Sequence, residues 1–204
     1  YDFQGVFRAI FEFATLDLPS FYFDIRKDVL YCDGDASRER RAARSVLDIL
    51  FHRLTTWLAP VLVFTMEEVW LERFAGDDSS VHLTDIPETP GAWRDEALAA
   101  KWENIRTVRK RVTETLEVAR RDKTIGSSLE AAPRVKIADS ALFEAVTSIE
   151  AVEDIFLTSA IEITQSDAAA TGEDAVVVEF HKADGAICLR CWKILPDVGS
   201  HAHA

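Results

Sequence analysis

The sequence predicts a mainly α-helical fold followed by a small α+β unit and a short cysteine-bearing tail. Three observations predict it. Apolar residues recur at helical spacing over 3–16, 38–58 and 93–123. Proline and Asp/Gly turn signals fall between those stretches, at Pro19, Asp33-Gly34-Asp35 and Pro60. Beyond Thr124-Ile125-Gly126 the pattern changes to short β-branched runs, RVKI at 134–137 and AVVVEFH at 175–181.

Taken in order, Phe3, Val6, Phe7, Ile10, Phe11, Phe13 and Ala14 mark a first helix expected to end before Asp17-Leu18-Pro19. Phe21–Cys32 (FYFDIRKDVLYC) mixes aromatic and aliphatic residues with charges. Its second half suits an amphipathic helix, with Ile25 and Val29 one turn apart, and a buried aromatic cluster there would hold Arg26 and Lys27 at a surface. The competing reading is an ordinary core helix with solvated charges. Ser37 is a candidate N-cap for a helix over 38–58. Arg38, Glu39, Arg40, Arg41 and Arg44 lead that helix, and Val46, Leu47, Leu50, Leu54, Trp57 and Leu58 line its apolar face. Pro60 stops it, because proline lacks the backbone donor and clashes with the preceding turn. Val61–Phe74 restarts as a helix so apolar in its first turns that burial between neighbours is expected.

Residues 76–92 read as a surface connection, with Val81-His82-Leu83 briefly extended. Over 93–123, Trp102, Ile105, Val108, Val112, Leu116 and Ala119 form a buried stripe. At about 100° per residue, Arg106, Arg109, Lys110, Arg120 and Arg121 fall on one flank beside it, with Glu117 placed to pair with Arg121 at i,i+4. That flank is either a basic ridge for phosphates or an ion-paired face turned to solvent. The α+β unit is expected to hold a strand at Arg134–Ile137, a helix at Ser140–Ser148, one or two short strands from Asp154–Leu157 and Ala160–Ile163, a loop at 166–173, and a strand at Ala175–His181.

Composition narrows the function. The 204 residues suffice for one large or two small domains, and 48% apolar content supports a sizeable core. A formal charge of −12 argues against a protein that coats nucleic acid generally, but leaves room for a local basic patch. No run approaches the ~20 apolar residues of a membrane span. Three cysteines give no disulfide framework, so a reducing cytoplasm is expected. The chain opens YDFQGVF without a methionine, as a segment of a longer polypeptide would. Glycine-rich phosphate loops, a G-x-S-x-G elbow and an H-E-x-x-H motif are absent, so no catalysis is expected of this segment alone. His52, His82 and His181 have no catalytic neighbour in sequence.

Cys188 and Cys191 form a C-x-x-C pair, the spacing of two thiolates on one zinc ion. Four ligands are needed, and His201 and His203 are the remaining donors in the tail, though H-x-H departs from the usual spacing. A redox pair, or two unligated thiols, are the alternatives.

Four ordered stretches carry a resemblance: LPSFYFDIRKDVLYC (18–32), WLAPVLVFTMEEVW (57–70), DKTIGSSLE (122–130) and CLRCW (188–192). Together they resemble the C-terminal part of bacterial isoleucyl-tRNA synthetases, within class I. The second is similar to a W-[ML]-A-P-[IV]-L-x-F-T-x-[DE]-E-[IV]-W run shared with the valine and leucine enzymes. The first and third are closer to the isoleucine family. The resemblance implies a helical anticodon-binding bundle (1–125), an α+β junction (126–185) and the truncated start of a zinc-binding module (186–204). It implies tRNA binding, with isoleucine tRNA as partner and the catalytic domain upstream in the same polypeptide. ATP and magnesium would serve that absent domain, whose HIGH and KMSKS signatures do not occur here. DNA and membrane are not expected partners. The candidate tRNA-binding residues are Arg26, Lys27, Arg106, Arg109, Lys110, Arg120, Arg121, Arg190 and Trp192, and Cys188 and Cys191 form a zinc half-site. Alternatives are a helical protein-interaction module without RNA contact and the equivalent region of the valine enzyme.

Overall fold

The computed structural model describes residues 2–167 and 170–200. The chain divides into two compact units, Tyr1–Arg94 and Asp95–Ala204. The long helix after Asp95 shares the second unit with the α+β elements.

In the first unit, α1 (Phe3–Glu12) runs through a π-helical stretch, Phe13–Phe23, into α2 (Asp24–Cys32). The expected stop before Pro19 does not occur. In an α-helix Pro19 would clash with the carbonyl four residues back, and the wider π turn relieves that clash without ending the helix. None of the residues of α1 is buried, and Phe3, Val6 and Phe11 are mostly exposed. The aromatic cluster expected around Phe21–Phe23 is only half-covered, with Ile25 as the buried anchor of α2. Phe23 stands 41% exposed.

The bounds of α3 (Arg38–Leu58) follow the sequence, but its buried residues are Ala43, Thr55 and Thr56, while Val46 and Trp57 of the expected apolar face are exposed. Ser37 caps α3 by accepting the Arg40 N–H at 3.2 Å, and the helix ends two residues before Pro60. α4 (Val63–Arg73) is not buried all round: Val63 and Phe64 are exposed, and only Met66 and Trp70 point inward. Ala59, Met66, Trp70 and Val81 make the core here, flanked by Phe51, Leu58, Leu62 and Phe74. Trp70 stacks on Phe51 (6.2 Å) and tilts against Phe74 (4.7 Å), and its indole N–H donates to Ser79 Oγ at 3.2 Å. His52 packs edge-on to Trp70 as a flank residue of this cluster. Val81–Leu83 is a single 3-10 turn, not an extended segment. The Glu67 carboxylate takes the Val81 N–H at 3.0 Å and Ser80 Oγ takes that of His82, so no strand pairing is needed.

The second unit is built on α5 (Glu96–Arg121), capped by Asp95. Its buried stripe is Ile105, Val108, Val112, Leu116 and Ala119. Each large side chain buried this way is worth about 1.5–3 kcal/mol. A capping box between Ser127 and Glu130 then leads to β1 (Arg134–Ile137). α6 (Ser140–Thr147) and α7 (Val152–Phe156) precede β2 (Glu162–Gln165), which lies parallel to β1, and β3 (Val176–Glu179) pairs antiparallel on its other side. The sheet order is β2-β1-β3. Val135 and Ile137 point to the core, while Arg134–Glu162 and Lys136–Glu179 bridge neighbouring strands at 2.8 Å on the open face.

Of Asp154–Leu157, expected as a strand, Asp154, Ile155 and Phe156 belong to α7 and Leu157 caps it. Ala151 and Leu157 bracket this one-turn helix in left-handed conformation, which breaks any extended run. The strand expected at Ala160–Ile163 is shifted to Glu162–Gln165. The last element is a two-stranded hairpin, β4 (Ala186–Ile187) with β5 (Ile194–Leu195). Gly185 permits it: at φ +131°, a Cβ there would lie 2.3 Å from the Leu195 carbonyl oxygen.

Candidate nucleic-acid interface

The sequence-predicted cations of the second unit lie on one flank of α5, as the helical period requires. Arg106 and Lys110 are exposed there and Arg109 is half-buried; Arg120 and Arg121 lie about 15 Å further along the axis at 1.5 Å per residue. The structure gives each of these three positions, Arg109, Lys110 and Arg120, a different job. Arg109 reaches across to α7, where its Nε–H donates to the Ile155 carbonyl at 2.9 Å. That carbonyl ends a one-turn helix, where a cationic donor is favoured. Lys110 pairs with Glu173 at 2.7 Å. The hydrogen bond and the charge of Glu173 hold the lysine pKa above its ordinary value, and Lys110 holds that of Glu173 below. Arg120 pairs with Glu117 at 2.6 Å. The expected Glu117–Arg121 pair is therefore replaced by the i,i+3 partner, and Arg121 lies 3.6 Å from Asp122. All but the Arg109 contact are exposed ion pairs, worth little in water and open to competition from a phosphate.

Arg190 and Trp192 sit in the turn of the β4–β5 hairpin. Lys193 fastens this hairpin to the unit through Asp154, and the Ile194 N–H donates to Ser159 Oγ at 2.6 Å. Trp192 adopts φ 64°, unusual for a bulky residue, and the residue is 67% exposed. Its N–H donates to the Cys188 carbonyl at 2.8 Å, closing the turn, while the Cys188 N–H donates to the Lys193 carbonyl at 2.8 Å. Inside this knuckle the Cys191 and Arg190 backbone N–H groups, with the Cys191 side chain and the Arg190 charge, hold the Cys188 thiol pKa below its ordinary value. A thiol inclined to ionise beside a second cysteine is the donor pattern a soft metal takes. No group of three or more His, Cys, Asp or Glu suited to a metal occurs among the described residues. His201 and His203 lie outside them.

In the first unit, Arg26 and Lys27 are half-buried on α2. Burial pushes the Tyr22 hydroxyl pKa up, and the nearby Arg26 charge opposes that shift. A second basic feature was not singled out as a site from sequence. Arg41, Arg44, Asp48 and Phe51 of α3 and Arg73 of α4 line an open groove of about 680 Å³. Arg73 pairs with Asp48 and lies over the Phe51 ring, 4.8 Å from its centroid. The signal for it in the sequence was the four arginines, Arg38, Arg40, Arg41 and Arg44, in the first two turns of one helix. Only the fold adds Arg73.

The family described as the anticodon-binding domain of tRNA ligase matches residues 1–137. The chain belongs to that family. It is 57% identical to an isoleucine–tRNA ligase of Ruegeria pomeroyi over 209 aligned residues, covering 100% of this chain and 21% of that protein. It is 53% identical to the isoleucine–tRNA ligase of Agrobacterium fabrum and 47% identical to that of Bartonella henselae, each over 98% of the chain and 21% of the relative. The chain thus spans about a fifth of the length of the curated relatives it matches. The matched family is an anticodon-binding one, and the three relatives named are isoleucine–tRNA ligases. Among the described residues no helix is long and apolar enough to cross a membrane.

Proposed function

We propose that this chain grips the anticodon stem and loop of isoleucine tRNA as the C-terminal segment of a cytoplasmic isoleucine–tRNA ligase. The observation that carries this is the 57% identity to such a ligase along the whole chain. In the complete enzyme the upstream domain, using ATP and magnesium, joins isoleucine to the tRNA, and this segment supplies binding energy and tRNA selection. Lysine and arginine set the register on phosphates, while flat rings and guanidinium planes stack on splayed loop bases. Lys110, Arg120 and Arg121 suit the first role, because competing pairs on them are exposed, and the exposed Arg106 suits it from the same flank. Arg26 and Lys27 suit it from α2. The exposed Trp192 ring, with Arg190 beside it, suits the second. Arg109 acts mainly by holding α7.

Zinc fits this reading. Cys188 and Cys191 would supply two thiolates of a tetrahedral site, and two further donors would come from outside the described residues. Such a metal would lock the knuckle that presents Trp192. Metal analysis of the intact protein should show one zinc fewer after Cys188→Ser with Cys191→Ser, and unchanged zinc would remove the half-site.

The tRNA reading is tested with the intact enzyme by titrating isoleucine tRNA and a variant with an altered anticodon. Tight, salt-dependent binding of the first and a loss of at least tenfold for the second are expected. Equal affinity for both would overturn anticodon recognition.

A further inference from the structure

We infer that the groove between α3 and α4 is a phosphate-binding subsite for RNA, with Arg41 and Arg44 as its primary ligands and the Phe51–Arg73 stack as its floor. The inference rests on the tRNA reading above and adds a site to it, on different residues.

Charge is the first argument. The chain is acidic overall, at −12, yet in this groove three guanidiniums face one carboxylate, Asp48. Asp48 is already shared: Arg73 pairs with it, and His52 lies 3.9 Å away. Arg41 and Arg44 are exposed and make no ion pair among the described residues. Arg40, one residue away, differs. It is tied to Asp35 and donates to the Asp33 carbonyl at 3.1 Å, closing the turn before the helix. One arginine of the cluster is used by the fold, and the two on the groove are not.

Placement is the second argument. Arg41 and Arg44 are the fourth and seventh residues of α3, past the capped first turn. Their one-turn spacing puts both guanidiniums on the same side of the helix.

Shape and chemistry are the third. A groove of about 680 Å³ is wide enough for a nucleotide unit and open at the surface. Guanidinium forks match phosphate oxygens in a bidentate fashion. The Arg73 plane, held 4.8 Å from the Phe51 centroid and 5.1 Å from that of Phe74, is a pre-ordered flat cation, which costs less to recruit than a free side chain.

The test uses the intact enzyme and isoleucine tRNA, with affinity measured from about 50 to 200 mM salt. Removing two phosphate contacts should make the log–log salt dependence shallower by about 1.4–1.8. Arg41→Ala with Arg44→Ala should show that loss of slope and a drop of about tenfold or more in affinity. Its melting temperature should stay close to that of the wild type, since both side chains are exposed. Arg41→Lys with Arg44→Lys should keep most of the slope. A wild-type enzyme that binds tRNA, with an Ala variant equal to it in affinity and slope, would remove the groove and leave the tRNA reading standing. A wild-type enzyme that binds no tRNA would remove both. Weaker binding accompanied by a lowered melting temperature would mean that the arginines serve the fold, and would also overturn the inference.

Discussion

The two units of this chain use the same kinds of side chain to opposite ends. On α5, an apolar stripe is buried and the cations beside it are engaged: Arg109 with a carbonyl of α7, Lys110 with Glu173, Arg120 with Glu117. In the first unit, α1 buries none of its residues, and Arg41 and Arg44 point into a groove with no ion-pair partner among the described residues. A cation's presence on a helix face therefore says little about function. What it already touches says more. Paired cations contribute first to the fold and can bind RNA only by exchanging partners, whereas idle ones bind without that cost.

The comparison breaks most visibly at the apolar residues. Ile105 has no exposed surface, while Phe3 is 71% exposed. Ile105→Ala should cost about 2–5 kcal/mol through lost transfer energy and the cavity left behind. Phe3→Ala should lie within about 0.5 kcal/mol of wild type. Hydrogen exchange at the α5 amides, with the chemical denaturation midpoint, reads the first, and the midpoint alone reads the second. Similar costs at the two positions would mean that α1 is packed as tightly as α5, and the contrast would fail.

The same contrast explains what could be read from sequence. The bounds of α3 were legible to the residue because their signals are local: Ser37 accepts a capping N–H and Pro60 forbids continuation. The stripe of α5 was legible for the same reason. α7 was not. Val152–Phe156 is a single turn, too short for a period to show, and it is held by Arg109, 46 residues away, and by left-handed Ala151 and Leu157. Pro19 misled in the other direction, since its usual effect was absorbed by a change of helix type. Of the candidate site, the cations on α5 were placed on the right flank, but their partners were not foreseeable: Glu173 and Ile155 come from distant segments, and Arg120 took Glu117 ahead of Arg121. The groove was missed because half of it depends on Arg73 meeting Asp48 across two helices.

A smaller effect separates positioning from RNA contact at Arg109. Arg109→Ala removes a charge-assisted hydrogen bond to the Ile155 carbonyl, worth about 1.5–3 kcal/mol. Protection of the α7 amides should fall, and Arg109→Lys, which keeps the charge but not the Nε–H geometry, should recover only part of it. The salt slope of tRNA binding should change little, because the charge is already committed within the protein. Intact α7 protection with a shallower salt slope would instead place Arg109 on a phosphate.

The smallest expected effect is at Lys110 and Glu173, whose side chains are both about half exposed (57% and 49%). Lys110→Gln should change thermal stability only marginally at neutral pH, and added salt should shrink even that. The pH dependence has a definite sign. Glu173 is held below its ordinary pKa, so its share of stability is present above the unfolded carboxylate value and is lost as pH falls through the lowered folded one. Lys110 is held above its ordinary value, so its share is present below the unfolded amine value and is lost as pH rises through the raised folded one. The wild type and Lys110→Gln should thus differ most in the broad window between, and converge at both extremes. NMR titration of Glu173 also reports on function. If Lys110 exchanges Glu173 for a phosphate when tRNA binds, the carboxyl pKa should move back up in the complex, towards its value in Lys110→Gln. A Glu173 titration unmoved by tRNA would leave Lys110 as a surface tie within its own unit, and the RNA contact of α5 would then fall to Arg106, Arg120 and Arg121.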